Sequence, residues 1–204
     1  GLEVHHNIVV DCEGKGMTSN WGDETLHYSN IIKDITEGMS SWARDFGPYW
    51  EGANNIFQGM TTRIAFHSNG HATASWGVDW DYNCYYPSTV PGSGGDDFYH
   101  RDYGYMDLSE WRTNLSADTN TITTEPKDQN ANPDEPSEFY PAWDSPVIDA
   151  GTTTSYAVDL DGNPVYGTPD IGALEYQPPY VLGTDDPDID ANVRVYADGK
   201  FRNT

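Results

Sequence analysis

The 204-residue chain has only two cysteines, Cys12 and Cys84, too few for a disulfide scaffold. Basic residues are scarce as well. Ten Lys and Arg stand against 33 Asp and Glu, a net charge of −23. That balance argues against nucleic acid as a partner, because phosphate binding needs clustered cations. It suits solubility in salty or extracellular surroundings. No run of 18 apolar residues occurs, so no helical membrane span is expected. No signal-peptide pattern opens the chain; Gly1 leads straight into the strand-like Leu2-Glu3-Val4-His5-His6-Asn7, which reads as the continuation of a longer precursor. Aliphatic residues are few, whereas 7 Trp and 14 Tyr are present. Extracellular sugar-handling surfaces and buried aromatic ladders both produce that composition.

A weak repeat emerges when asparagines are aligned. His6-Asn7-Ile8-Val9-Val10 recurs as Ser29-Asn30-Ile31-Ile32, Asn54-Asn55-Ile56-Phe57 and Tyr82-Asn83-Cys84-Tyr85-Tyr86. The spacings are 23, 25 and 28 residues (7 to 30, 30 to 55, 55 to 83). Periods in the twenties with one short apolar strand each predict a β-solenoid, in which stacking buries what no single repeat can. Asn at each turn tolerates left-handed backbone, and its amide can bond the Asn of the next repeat. After Pro87 the pattern changes. Ser88 to Gly95 is a Pro/Gly/Ser loop, and Met106 to Arg112 reads as a short helix with Asp107 as N-cap and Glu110 at N3.

The closing stretch is the most specific. Ser145-Pro146-Val147-Ile148-Asp149-Ala150-Gly151 is answered by Pro169-Asp170-Ile171-Gly172-Ala173-Leu174-Glu175-Tyr176, with Val158-Asp159-Leu160-Asp161-Gly162-Asn163-Pro164 between them. These 32 residues resemble the C-terminal closing segment of secreted right-handed parallel β-helix proteins of the pectate-lyase-like class. The helix with Glu110-Trp111 resembles a turn of the same family. The resemblance implies an all-β, right-handed parallel β-helix over residues 1–180. One architecture hosts many chemistries, so it implies little about function. The tail, 181–204, is an acidic linker running into an alternating strand, Asn192 to Tyr196. Leu182-Gly183-Thr184-Asp185-Asp186 and Asn192-Val193-Arg194-Val195-Tyr196 resemble the start of the C-terminal sorting domain of type IX secretion cargo in Bacteroidetes. Tyr196 is followed by Ala197-Asp198-Gly199-Lys200 where that family more often has Pro-Asn-Pro, and Thr204 ends the sequence short of a complete sorting domain. The resemblance implies the outer-membrane export machinery and its shuttle protein as partners.

Chemistry is harder to place. Polysaccharide lyases of this fold use Lys or Arg as base, often with Ca²⁺. Lys33, Arg44 and Arg63 are the cations to consider, and none stands in a lyase motif. Among the carboxylates, Asp79 and Asp81 flank Trp80 at strand spacing and share a face. His67 and His71 face each other across a short turn without a third ligand, and Zn²⁺ needs at least three. Asp159, Asp161 and Asn163 offer oxygen ligands for Ca²⁺, or an Asp-Gly turn closed by Asx hydrogen bonds. Trp42, Tyr49, Trp50, Trp76 and Trp80 read as sugar-stacking platforms, or as core. The expected function is engagement of extracellular polysaccharide at or beyond the cell surface, as a lyase, a glycoside hydrolase or a binding scaffold. The alternative is a non-catalytic adhesin or stalk. A catalytic chain should carry a groove with basic residues or paired carboxylates beside exposed aromatics.

Overall fold

Each asparagine-marked run is a triplet of strands in the computed structural model, which describes residues 2–20, 24–43, 49–69, 78–130, 133, 135–177, 193–195 and 201–203. The first triplet is β1 (Leu2–His5), β2 (Ile8–Val10) and β3 (Lys15–Asn20); the second is β4 (Glu24–Tyr28), β5 (Ile31–Lys33) and β6 (Glu37–Ala43). Then come β7 (Tyr49–Ala53), β8 (Ile56–Gln58) and β9 (Arg63–Asn69), followed by β10 (Val78–Asp81), β11 (Cys84–Tyr86) and β12 (Phe98–His100). Like positions stack into three parallel sheets, β1-β4-β7-β10, β2-β5-β8-β11 and β3-β6-β9-β12. The antiparallel β13 (Gly104–Met106) adds an edge to the third. The chain is mostly β with parallel sheets, compatible with a β-helix-like fold.

The asparagines explain how the triplets register. Asn7 donates its backbone N–H and its side-chain amide to Asn30 Oδ1 at 3.1 and 3.0 Å. Asn30 does the same to Asn55 at 3.1 and 2.9 Å, and Asn55 to Asn83 at 2.9 and 3.0 Å. Asn30, Asn55 and Asn83 are fully buried, so only complete pairing makes them tolerable there. One expectation is corrected. The left-handed residue is the one before each ladder asparagine: His6, Ser29, Asn54 and Tyr82 have φ of 51°, 52°, 59° and 55°. That single kink turns the chain from the first sheet into the second and frees the next side chain to bond along the stack.

From the ladder, strand alternation sorts the side chains. Val9, Ile32, Phe57 and Tyr85 point one way into the main core, with Trp50, Trp80, Met39 and Phe98. Trp80 lies 4.4 Å from Trp50 and 5.8 Å from Phe57, ring centre to ring centre. The helix α1 (Leu108–Leu115) adds Trp111, 5.0 Å from Phe98. It begins as the sequence predicts, with a complete capping box between Asp107 and Glu110. Ile31, Ile56 and Cys84 point the other way, into a second cluster with Phe139, Val147, Ile171, Ala173 and Leu174 of the closing segment. Cys84 is therefore buried under that segment, on the face opposite Tyr85.

Both thiols are free. Burial pushes Cys84 up to about 12, so little thiolate forms, while Cys12 is exposed. Alkylation of the native protein at pH 8 should add one label, and alkylation after denaturation two. Two labels on the native protein, counted by mass, would contradict the cover over Cys84. At the other end of the chain, β14 (Val193–Val195) pairs antiparallel with β15 (Phe201–Asn203). The acidic linker preceding β14 lies outside the described residues.

Candidate functional site

Register places the outward side chains of the first sheet in rows. Four residues before each ladder asparagine stand Glu3, Leu26, Glu51 and Asp79, paired strand to strand. Two residues before it stand His5, Tyr28, Ala53 and Asp81. All of these but His5, together with Gly52, Tyr82 and Thr152 to Ser155, line a groove of about 540 Å³. Among the described residues its lining carries the four carboxylates Glu3, Glu51, Asp79 and Asp81 and no Lys or Arg.

The groove is organised by hydrogen bonds from phenols. Tyr28 donates to Glu51 Oε1, and Tyr156, just beyond the rim, donates to Glu3 Oε1. Burial and these carboxylates raise both phenols well above their ordinary range, so both stay protonated donors. Tyr156 also stacks on His5 at 4.0 Å. Asp81 has a structural job as well. It accepts from the Tyr82 and Asn120 backbone N–H groups at 2.9 and 2.6 Å, and from the Asn120 amide at 2.7 Å. Glu51 and Asp79 are direct register partners on adjacent parallel strands, about 4.8 Å apart along the stack.

The rim is fixed by Asn54. Its amide donates to the Thr152 carbonyl at 2.8 Å and its Oδ1 accepts from Thr152 N at 2.8 Å. Gly151 makes that approach possible, since a Cβ there would lie 2.7 Å from the Pro169 carbonyl and 2.8 Å from Asn54 Oδ1.

The aromatic platforms fare unevenly. Trp50 and Trp80 are 0% and 1% exposed, which removes them as stacking faces for a sugar. Trp42 lies on β6 opposite Ser68, and Tyr49 opens β7 opposite Glu24. Trp76, Arg44 and His71 lie outside the described residues. His67 sits on β9 opposite His100. Lys33 is engaged by Asp128 at 3.6 Å and the ring of Phe139. Arg63 pairs with Glu37 at 3.6 Å and lies over Tyr105.

Asp159 takes the turn role. Its Oδ1 accepts from Asp161 N at 3.0 Å and Asn163 N at 2.8 Å; its Oδ2 accepts from Glu175 N and the Asn163 amide, both at 3.1 Å. Asp161 instead accepts from Tyr140 at 2.7 Å. With both Asp159 oxygens committed to N–H donors, the trio fits an Asx turn better than a Ca²⁺ shell. Among the described residues no group of three or more His, Cys, Asp or Glu is arranged to hold a metal. A scan with protein-family models matches nothing in the chain, and searches of curated proteins and of solved structures find no match either.

Proposed function

We propose that the chain is the C-terminal part of a right-handed parallel β-helix protein that works outside the cell, and that its groove holds a neutral polysaccharide. The carrying observation is the groove itself, of about 540 Å³, lined among the described residues by four carboxylates and no Lys or Arg. That volume is typical of ligand clefts. Carboxylates accept hydrogen bonds from sugar hydroxyls, and Leu26 and Tyr28 supply apolar surface between them. A uronate would meet like charge, which disfavours acidic glycans. The engaged state of Lys33 and Arg63 argues against a lyase base at either position. Export by the type IX machinery through residues 181–204 belongs to the same reading and rests on the tail's resemblance alone.

The test is affinity electrophoresis or calorimetry with soluble neutral glycans against polygalacturonate. The double variant Glu51→Gln, Asp79→Asn should bind the neutral glycan at least tenfold more weakly. Unchanged binding, or a wild type that prefers polygalacturonate, would overturn the proposal. The Glu51–Asp79 register pair favours hydrolysis as a second reading, because two carboxylates at one-strand spacing suit acid–base work on a glycosidic bond. Release of reducing ends by the wild type and not by either single variant separates hydrolysis from binding.

A further inference from the structure

The outer face of the second sheet is covered, and one lysine lies under the cover. Lys33 follows Ile31 by two residues on β5 and shares its outward face, between Val10 and Gln58 of the flanking strands. Its side chain is 12% exposed and that of Asp128 11%, with Nζ 3.6 Å from Oδ2. Phe139 is buried beside the pair, its ring centre 5.6 Å from Nζ. Both backbones are fixed. Strand β5 is paired on both edges, to β2 and β8. The neighbours of Asp128 are pinned by Gln129 N–H to the Tyr140 carbonyl at 2.8 Å and Ala142 N–H to the Lys127 carbonyl at 2.7 Å.

We propose that Lys33 and Asp128 condense to an intramolecular amide, a covalent staple that ties the cover to the second sheet across 95 residues of chain (33 to 128). The Lys33 Nζ lone pair attacks Asp128 Cγ, and the new N–C bond replaces one C–O bond of the carboxyl. The departing oxygen leaves as water with two of the three ammonium protons, and the third stays on the amide nitrogen. One positive and one negative charge vanish together, and no other reactant is needed.

Three observations favour the amide over a lasting ion pair. A charge-assisted hydrogen bond spans about 2.7–2.9 Å, so at 3.6 Å the buried charges lack the tight bonding that would offset their loss of water. The exposed Lys127–Asp144 pair, in contrast, closes to 2.5 Å. Second, the geometry is close to that of reaction. Near-attack contacts are about 3–3.5 Å, and groups held so act at effective concentrations of about 10⁵ M or more, which offsets the poor equilibrium of amide formation in water. Third, burial raises the Asp128 carboxyl to about 6 in spite of the Lys33 charge, so the neutral acid, the form that loses water, is accessible. Both thiols are free, so no disulfide ties the cover down.

The intact mass of the folded full chain, followed over days at pH 6, reads the staple directly. The wild type should become one water lighter than its sequence, about 18 Da. Trypsin should then fail to cut after Lys33 and leave one branched peptide joining Lys33 to Asp128. Lys33→Arg keeps a cation beside Asp128 but offers no amine to acylate, so it should hold its full mass. Asp128→Asn should still couple, releasing ammonia in place of water, a loss of about 17 Da. A wild type at full mass, cut normally after Lys33, would overturn the staple. So would a water loss that persists in Lys33→Arg or maps to Asp161-Gly162, the mark of a succinimide at that turn. Should the variants fail to fold, the branched peptide in the wild type decides alone. No glycan takes part, so a failure here and a failure of glycan binding are separate results.

Discussion

Asp118→Ala should cost the protein about 4–5 kcal/mol, the largest effect expected of any single substitution here. Asp118 is 0% exposed and ends the asparagine ladder. Its Oδ1 accepts from the Asn83 amide at 3.0 Å and the Thr121 hydroxyl at 2.7 Å. Its Oδ2 accepts from the Tyr85 hydroxyl and the Trp111 indole, both at 2.8 Å. Asn30, Asn55 and Asn83 each receive donors on one side and give donors on the other, so the last rung needs a group that only accepts. A carboxylate is that group. Burial raises its pKa, and the four bonds to the ionised form pull against that rise. Alanine strands three buried donors at about 1–3 kcal/mol each, only part of which relaxation recovers. Set against total stabilities of about 5–15 kcal/mol, the loss approaches unfolding. Asp118→Asn keeps one acceptor oxygen and turns an amide on the remaining donors, so it should fall between. Chemical denaturation measures both. A midpoint for Asp118→Ala within 1 kcal/mol of wild type would show that the ladder needs no terminator.

Much of this was legible before the structure and some was not, for identifiable reasons. The ladder spacings were visible because the asparagine amide bonds along the stack, which forces one asparagine per triplet whatever the loop length between. Counting back four residues from each then yields Glu3, Leu26, Glu51 and Asp79, so the groove row was encoded too. Asp79 and Asp81 stood out by alternation, but Glu3 and Glu51 become their neighbours only when the ladder fixes register. Trp80 was readable by the same rule. Flanked by two aspartates on one strand, it must point inward, and it does. Trp50 follows by register. Asp118 was not readable, because it lies beyond the last repeat, after a helix, where no period predicts it. The closing segment from Ser145 to Tyr176 stands out in the sequence, yet its burial depends on packing against Ile31 and Ile56, far away along the chain.

His27→Leu should stabilise the protein, and more so the lower the pH. His27 sits on β4 with its side chain 1% exposed, and neither ring nitrogen has a hydrogen-bond partner among the described residues. Val4 and Gly52 stand beside it on the adjacent strands, and Trp50 lies 6.5 Å away, edge to face. Burial lowers it to about 4, from an ordinary value of 6.5. The unfolded chain therefore takes up a proton below pH 6.5 that the folded chain refuses until about pH 4, and stability falls across that window as pH falls. The cost at its lower edge is on the order of 3 kcal/mol, at about 1.36 kcal/mol per unit. Leucine is of similar size and carries no proton. At pH 7.5 it should be neutral or slightly stabilising, since it removes unpaired polar atoms from the core. Denaturation midpoints of wild type and variant should then diverge steadily from pH 7 to pH 4. Parallel curves would mean that His27 protonates as readily folded as unfolded. Asp170 and Glu175, which burial raises to about 6 and about 7, work in the opposite sense and favour the folded chain at low pH, so wild-type stability should peak between the two limits. Removing His27 takes away the acid-side loss and should move that peak toward lower pH, leaving the fall toward pH 8 to Asp170 and Glu175.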